Sequence, residues 1–416
     1  MIQSVKLNNF LSFGPDSGEI ELHPLNVIIG RNGSGKSNFF EAIDLLRNAP
    51  SKMTPAIREG GGVADWLYKG ETKGEKLASM EFVVENRAAI SNEQLSKVLY
   101  QLSFANEGQR FTILDEKITG ITHEHGEAKD YLLYDYNAGN PVINVRQENE
   151  LSQKGRDFLE RKFSIRGGIY YERKLSRYDI SPEQSILAQR RDPDSYPEIT
   201  SLAKELERIK LYREWSFGRG NPLSLQVKVD APNDFIEENC DNMPLILNQF
   251  DFLGVKHSLL QELKYFYDEV EDFVVRLDSG TAQLYFRESG LNALIPAARL
   301  SDGTLRYLYL LCILLHPTPP SVVCIEEPEL GLHPDILPKI GKLLVEASER
   351  CQLIVTTHST VLVDSLTECP ECVLVAEKEN SQTTITRLNK NELSPWLEKY
   401  RLGELWSRGD IGGNIW

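Results

Sequence analysis

Gly30-Arg31-Asn32-Gly33-Ser34-Gly35-Lys36-Ser37-Asn38 has the spacing of a phosphate-binding loop, G-x-x-x-x-G-K-S. Glycines let a backbone turn tightly around phosphate oxygens with its N–H groups pointing at the anion. Lys36 suits the β- and γ-phosphates, and the Ser37 hydroxyl suits Mg²⁺. A second group of reactive side chains lies far downstream. Glu326 and Glu327 end the apolar run Ser321-Val322-Val323-Cys324-Ile325. One carboxylate there can hold Mg²⁺ while its neighbour orients and deprotonates a water. The pattern assigns the metal to Glu326 and the base to Glu327. His358 follows another apolar run, Gln352-Leu353-Ile354-Val355-Thr356-Thr357, and is expected at a γ-phosphate. Ser301 and Gly303 form a Ser-x-Gly turn ahead of a helix, a second anion site. Together these residues imply binding of a nucleoside triphosphate with Mg²⁺.

Such residues need rigid elements behind them. Leu25-Asn26-Val27-Ile28-Ile29 reads as a buried strand feeding the loop. The stretch Ser37 to Leu46 repeats apolar residues at helical spacing, which places a helix N-terminus under the phosphates. The runs before Glu326 and His358 read as buried parallel strands, and ligands in open α/β sheets collect at the carboxyl ends of such strands. Between Met80 and Val145, short β-rich runs alternate with turn residues and predict an antiparallel sheet. Tyr196 to Leu211 and Val255 to Phe273 carry helical apolar stripes, and Phe273 to Glu288 reads as a hairpin turning at Asp278-Ser279-Gly280.

The chain has 416 residues, a formal net charge of −15 and six scattered cysteines. Its composition supports a sizeable core, and the cysteines suggest reduced thiols in a cytoplasm. The longest apolar run, Leu305 to Leu315, contains Arg306 and two tyrosines and reads as a core helix, so no membrane span is expected. The start of the chain lacks the pattern of a secretory signal. The acidic balance argues against coating by nucleic acid. Locally, Lys154, Arg156, Arg161, Lys162, Arg166, Arg173, Lys174 and Arg177 form a basic stretch, read either as a solvated face or as a phosphate or partner contact.

In the order of these motifs the chain resembles the ABC-type ATPase heads of the RecF, SMC and OLD group, in particular stand-alone AAA-type ATPases. The carriers are Asn9-Phe10-Leu11-Ser12-Phe13, the Gly30–Ser37 loop, Leu300–Thr304 as the signature, Ile325–Glu329 as Walker B, Leu332-His333-Pro334-Asp335 as the D-loop and Thr357-His358-Ser359 as the H-loop. The resemblance implies an α/β P-loop fold with a split parallel-sheet core, an antiparallel β subdomain and a helical lobe. Expected boundaries are 1–75 and 273–390 for the core, 76–180 for the β subdomain, 181–272 for the lobe and 391–416 for a tail. It also implies a head-to-tail homodimer with ATP between the P-loop of one subunit and Ser301–Gly303 of the other. Asp302 stands where transporters usually carry glycine, and Glu326 where aspartate is usual; both resemble the OLD-type branch. Gln189 is the candidate Q-loop glutamine for the nucleotide and metal, with Gln184 as the alternative. Arg58 resembles an arginine that follows the P-loop helix in SMC heads and contacts phosphate.

Cys369-Pro370-Glu371-Cys372 has zinc-knuckle spacing, but four soft ligands are needed and no second pair exists. His123-Glu124-His125 likewise lacks partners. Three functions stay open: an ATPase whose cycle engages DNA or a protein in repair or anti-phage defence; a nucleotide-gated scaffold or sensor controlling a separate nuclease or toxin; and an OLD-type nuclease. The last needs an acidic metal-binding domain after His358, where too few residues are expected to remain.

Overall fold

The computed structural model describes residues 1–71, 77–85, 97–124, 127–137, 139–147, 161–165, 168–213 and 226–413. They divide into two compact units: Met1–His23, Asn32–Ile209 and Ala376–Thr386 form the first, and Pro24–Arg31, Lys210–Val375 and the remainder from Arg387 form the second. The fold is α/β.

The first unit is built on a nine-stranded sheet. In spatial order its strands are Glu19–Glu21, Ile2–Asn8, Leu77–Glu85, Lys97–Glu107, Arg110–Glu124, Glu127–Asn137, Asn140–Gln147, Gly168–Lys174 and Arg161–Ile165. Neighbours run antiparallel. The strands form because apolar residues alternate: Ala78, Met80, Phe82 and Val84 are buried on one, and Val98, Tyr100, Leu102 and Phe104 on the next. The helix Lys36–Asn48 buries Phe39, Phe40, Ile43 and Leu46. Pro197 opens the helix Pro197–Glu207, where its missing N–H costs nothing. Of the basic stretch, Lys154, Arg156 and Arg166 lie outside the described residues, as does His125. Arg161 and Lys162 open the edge strand Arg161–Ile165, Arg173 and Lys174 end the neighbouring strand Gly168–Lys174, and Arg177 lies in the turn beyond it.

One buried carboxylate ties this sheet to the turn that follows it. Glu116 accepts from Tyr100 Oη at 2.9 Å, from the Ser185 hydroxyl and from the Ile186 amide at 2.9 Å. Burial pushes its pKa up to about 7 despite those donors. The folded state therefore holds a proton that the unfolded chain releases near its ordinary value. Stability from this group is complete below about pH 4.5 and is lost as pH rises through about 7. At 1.36 kcal/mol per pKa unit the loss is on the order of 3 kcal/mol. Urea unfolding at pH 5.5 and 7.5 should show the decline in wild type and a flatter dependence in Glu116→Gln.

The second unit holds the parallel strands. Lys210–Tyr212, Val322–Glu326, Gln352–Thr356 and Leu25–Gly30 lie side by side, with the start of Val373–Glu379 next to Leu25–Gly30. Their register aligns Tyr212 with Ile325, Glu326 with Thr356, and Thr356 with Ile28. The apolar stripe expected to run helically as far as Leu211 thus ends at Glu207. Leu211 and Tyr212 are buried instead as a short parallel strand beside Val322–Glu326. The helix Asp302–Leu314 buries every side chain from Thr304 to Leu314. At roughly 1.5–3 kcal/mol for each large apolar side chain, this helix is a main anchor of the core. The hairpin Val270–Asp278 and Thr281–Glu288 turns at Ser279-Gly280. Trp406 is buried in the helix Leu402–Arg408 and donates to Gly413 O at 2.9 Å. No helix is long and apolar enough to cross a membrane among the described residues.

Candidate nucleotide and metal site

Within the second unit, three neighbouring strands deliver the expected residues at one carboxyl edge. Gly30 ends Leu25–Gly30, Glu326 ends Val322–Glu326, and His358 stands two residues beyond Gln352–Thr356. Glu326 is half-buried, with the Arg213 guanidinium 3.9 Å away to offset its charge. At Glu327 the backbone leaves the strand in the left-handed region, φ +46°. For a side-chain-bearing residue this costs about 1–2 kcal/mol. The turn is held by the Glu327 amide, which donates to Thr356 O at 3.0 Å. The Glu327 carboxylate then faces His358, with Oε1 3.3 Å from Nε2.

A third acid grips the histidine loop. Glu329 Oε1 accepts from the Thr357 hydroxyl and from the His358 amide, each at 2.7 Å. Burial raises the Glu329 pKa, and those two hydrogen bonds oppose the rise. Arg306, on the helix Asp302–Leu314, is pushed down to about 10 by burial, with Glu329 and Glu327 both acting to restore its charge. Glu329→Leu should unfasten the His358 backbone and lower turnover at least ten-fold, whereas Glu329→Gln keeps an acceptor oxygen and should retain most of it. Steady-state phosphate release from both variants checks this.

The signature turn caps its own helix. Ser301 Oγ accepts from Thr304 N at 3.1 Å, and the side chain is exposed. Gly303 packs against the turn at Gly331 so closely that a Cβ would lie 3.2 Å from Gly331 O.

The chain crosses from the second unit to the first between Arg31 and Asn32, so the remaining loop residues belong to the first. Gly33 and Gly35 have φ +76° and +104°. A Cβ on Gly35 would fall 2.2 Å from Thr383 Oγ1, so only glycine fits. Thr383 donates to Ser34 O at 2.8 Å, and Asn38 Nδ2 donates to Ser12 Oγ at 2.7 Å. Ser12 and Thr383 therefore brace the loop from positions 371 residues apart in sequence. Arg31, Asn32, Gly33 and Ser37 are exposed, while Ser34, Gly35 and Lys36 are buried.

The loop residues suit a bound anion on their own geometry. The buried Ser34 hydroxyl has no hydrogen-bond partner among the described residues. No side chain caps the helix that starts at Lys36, and Lys36 is only 6% exposed. An anion at this turn would satisfy the Ser34 hydroxyl and the open helix N-terminus together.

Two expected residues sit differently. Gln189 spends its amide on its own turn, accepting from Ser181 N at 2.7 Å and donating to Gln184 O at 2.6 Å. Reaching a metal would require it to release these bonds. Arg58 is exposed in the last turn of the helix Met53–Glu59. The sequence reading assigned no role to Ser12, Thr383, Arg213 or Arg306, and placed Glu329 in a motif without a contact. Only the acidic run Glu326-Glu327-Pro328-Glu329 carries any local signal.

Residues 25–364 match the model of the AAA_21 family, described as "AAA domain, putative AbiEii toxin, Type IV TA system". The chain belongs to this family. It also shares the fold of SMC head domains. A crystal structure of an Smc head bound to the C-winged helix domain of ScpA aligns with TM-score 0.52 at 14% identity, over 94% of this chain and 99% of that one. The Smc head with an extended coiled coil from Pyrococcus furiosus, bound to the C-terminal domain of ScpA, aligns with TM-score 0.51 at 13% identity, over 96% of this chain and 98% of that one. No curated protein matches this AAA_21 chain in sequence.

Proposed function

We propose that this AAA_21 member is a Mg²⁺-dependent ATPase that works as a head-to-tail homodimer, its nucleotide state controlling engagement of DNA or a partner protein. The observation that carries the reading is the Glu327–His358 pair, 3.3 Å apart at the ends of adjacent parallel strands. It puts a carboxylate base beside a side chain able to meet a γ-phosphate.

In this scheme Gly30, Arg31, Asn32, Gly33, Ser34, Gly35 and Asn38 shape the phosphate loop, and Lys36 neutralises phosphate charge. Ser37 and Glu326 hold Mg²⁺, which when bound supplies Lewis-acid polarisation of the phosphoryl oxygens. Glu327 takes the proton of the attacking water, and His358 orients it toward the γ-phosphate. Glu329 keeps His358 in place, and Ser301 with Gly303 closes the site of a second copy from its exposed signature turn. Gln189 and Arg58 are secondary candidates for metal and phosphate contacts.

A second reading is favoured by the wording of the family description, which refers to a toxin–antitoxin system. In it the head is a nucleotide-gated scaffold for a separate toxin or nuclease, and slow hydrolysis only resets the complex.

The reading is tested by phosphate release from the purified protein across ATP concentrations, with Mg²⁺ and with EDTA. Saturable release that EDTA abolishes is expected. Absence of both release and ATP binding would overturn it. The two readings separate on rate: turnover on the order of 1 s⁻¹ or faster fits the motor-like cycle, and far slower turnover fits the reset.

A further inference from the structure

The chain has six cysteines, and four of them, Cys240, Cys312, Cys324 and Cys351, are buried. The other two stand apart. Cys369 and Cys372 are only half-buried and occupy the two ends of one turn. The Cys372 amide donates to the Cys369 carbonyl at 2.9 Å. That i-to-i+3 closure brings the two Cα atoms within about 7 Å, and a disulfide spans about 4.4–6.8 Å. The Cys372 side chain, close by in this turn, holds the Cys369 pKa below the ordinary thiol value.

The turn is preformed rather than loose. Pro370 is buried, and Arg387 Nη1 donates to Glu371 O, between the two cysteines, at 2.7 Å. The same guanidinium reaches Asn26 Oδ1 through Nη2 at 2.7 Å, and Asn26 is fully buried in the strand that feeds the phosphate loop. Lys390, whose ammonium donates to Glu368 O at 3.0 Å, favours a Cys369 thiolate, while burial and the Glu371 and Glu368 carboxylates oppose it. A zinc role lacks ligands: among the described residues no group of three His, Cys, Asp or Glu side chains could hold a metal.

We propose that Cys369 and Cys372 form a redox-active dithiol, which a small-molecule disulfide such as oxidised glutathione converts reversibly to an intramolecular disulfide. The Cys369 thiolate attacks one sulfur of the oxidant, forming a mixed disulfide and expelling one glutathione thiolate. The Cys372 thiol then loses its proton and attacks the Cys369 sulfur, expelling the second. Two protein thiols are oxidised, and one glutathione disulfide is reduced to two thiols. Cys369 is the attacking residue because its thiolate is the favoured one of the pair, and half-burial still admits a tripeptide.

The test equilibrates the full chain in reduced and oxidised glutathione at graded ratios, quenches with acid, alkylates free thiols and maps peptides by mass spectrometry. In the wild type the peptide holding both residues should lose two hydrogens and escape alkylation in oxidising buffer. Dithiothreitol should restore it, while the four buried cysteines stay reduced throughout. Cys372→Ser should stop at a glutathione adduct on Cys369, because the resolving thiol is gone. If that variant does not fold, the wild-type titration alone decides. A wild-type peptide that remains reduced in the most oxidising buffer, accumulates only glutathione adducts, or crosslinks to a second chain would overturn the proposal.

Discussion

Lys36→Ala protein is expected to lose ATP turnover altogether and to bind ATP weaker by on the order of a hundred-fold or more. The size follows from the site. Lys36 is 6% exposed, at the N-terminus of a helix no side chain caps, so its ammonium meets phosphate with little water to screen it. Removing one partner of a desolvated charge pair costs about 2–5 kcal/mol, and each 1.4 kcal/mol is ten-fold in affinity. Without nucleotide the substitution only shortens a side chain at the start of a helix to alanine, the best helix former, so the variant should fold normally. Isothermal titration with an ATP analogue, alongside circular dichroism, separates the two effects. A folded Lys36→Ala protein that bound and hydrolysed ATP like wild type would show that the loop is not the catalytic site.

Glu327→Gln should behave in the opposite way, binding ATP while turning it over slower by about 10²–10⁴-fold, the usual worth of a positioned base. The amide keeps the shape of the carboxylate and its approach to His358, and it loses only the ability to take a proton. Glu327 is also held at φ +46° by the hydrogen bond its amide donates to Thr356 O at 3.0 Å, a backbone cost that the side chain's position justifies. Gln tolerates that backbone no worse than Glu, so the fold should survive. Single-turnover hydrolysis with excess enzyme isolates the chemical step from product release. Chemistry at the wild-type rate would remove Glu327 from the role of base.

Much of this site could be read from the sequence because its parts are local. The P-loop is encoded in eight consecutive residues, and the strands before Gly30, Glu326 and His358 are continuous apolar runs. Their parallel pairing followed from what must carry such motifs. The supports were less legible because they are distant in sequence. Thr383 and Ser12 meet across 371 residues, and nothing in the segments around either residue marks them as braces of the loop. The strand Lys210–Tyr212 has only three residues and continues the apolar periodicity of the helix before it, so period alone could not separate the two. Glu329 was visible as part of an acidic motif, but its hold on the His358 amide depends on how two strand ends lie together. Gln189 was a candidate only through the family resemblance, and the hydrogen bond of its amide to Gln184 O depends on a local turn that no motif marks.

The most direct test of the head-to-tail sandwich is molar mass by light scattering, with ATP and Mg²⁺, for wild type, Glu327→Gln and Glu327→Gln combined with Ser301→Arg. Ser301 is exposed at the start of its helix, where an arginine can be accommodated in the isolated chain but would obstruct a γ-phosphate approaching from a second copy. ATP-bound Glu327→Gln should double its mass, wild type should do so only transiently, and the double variant should stay at the mass of one chain. A Glu327→Gln protein that stayed single with ATP bound, or a double variant that assembled equally well, would contradict it.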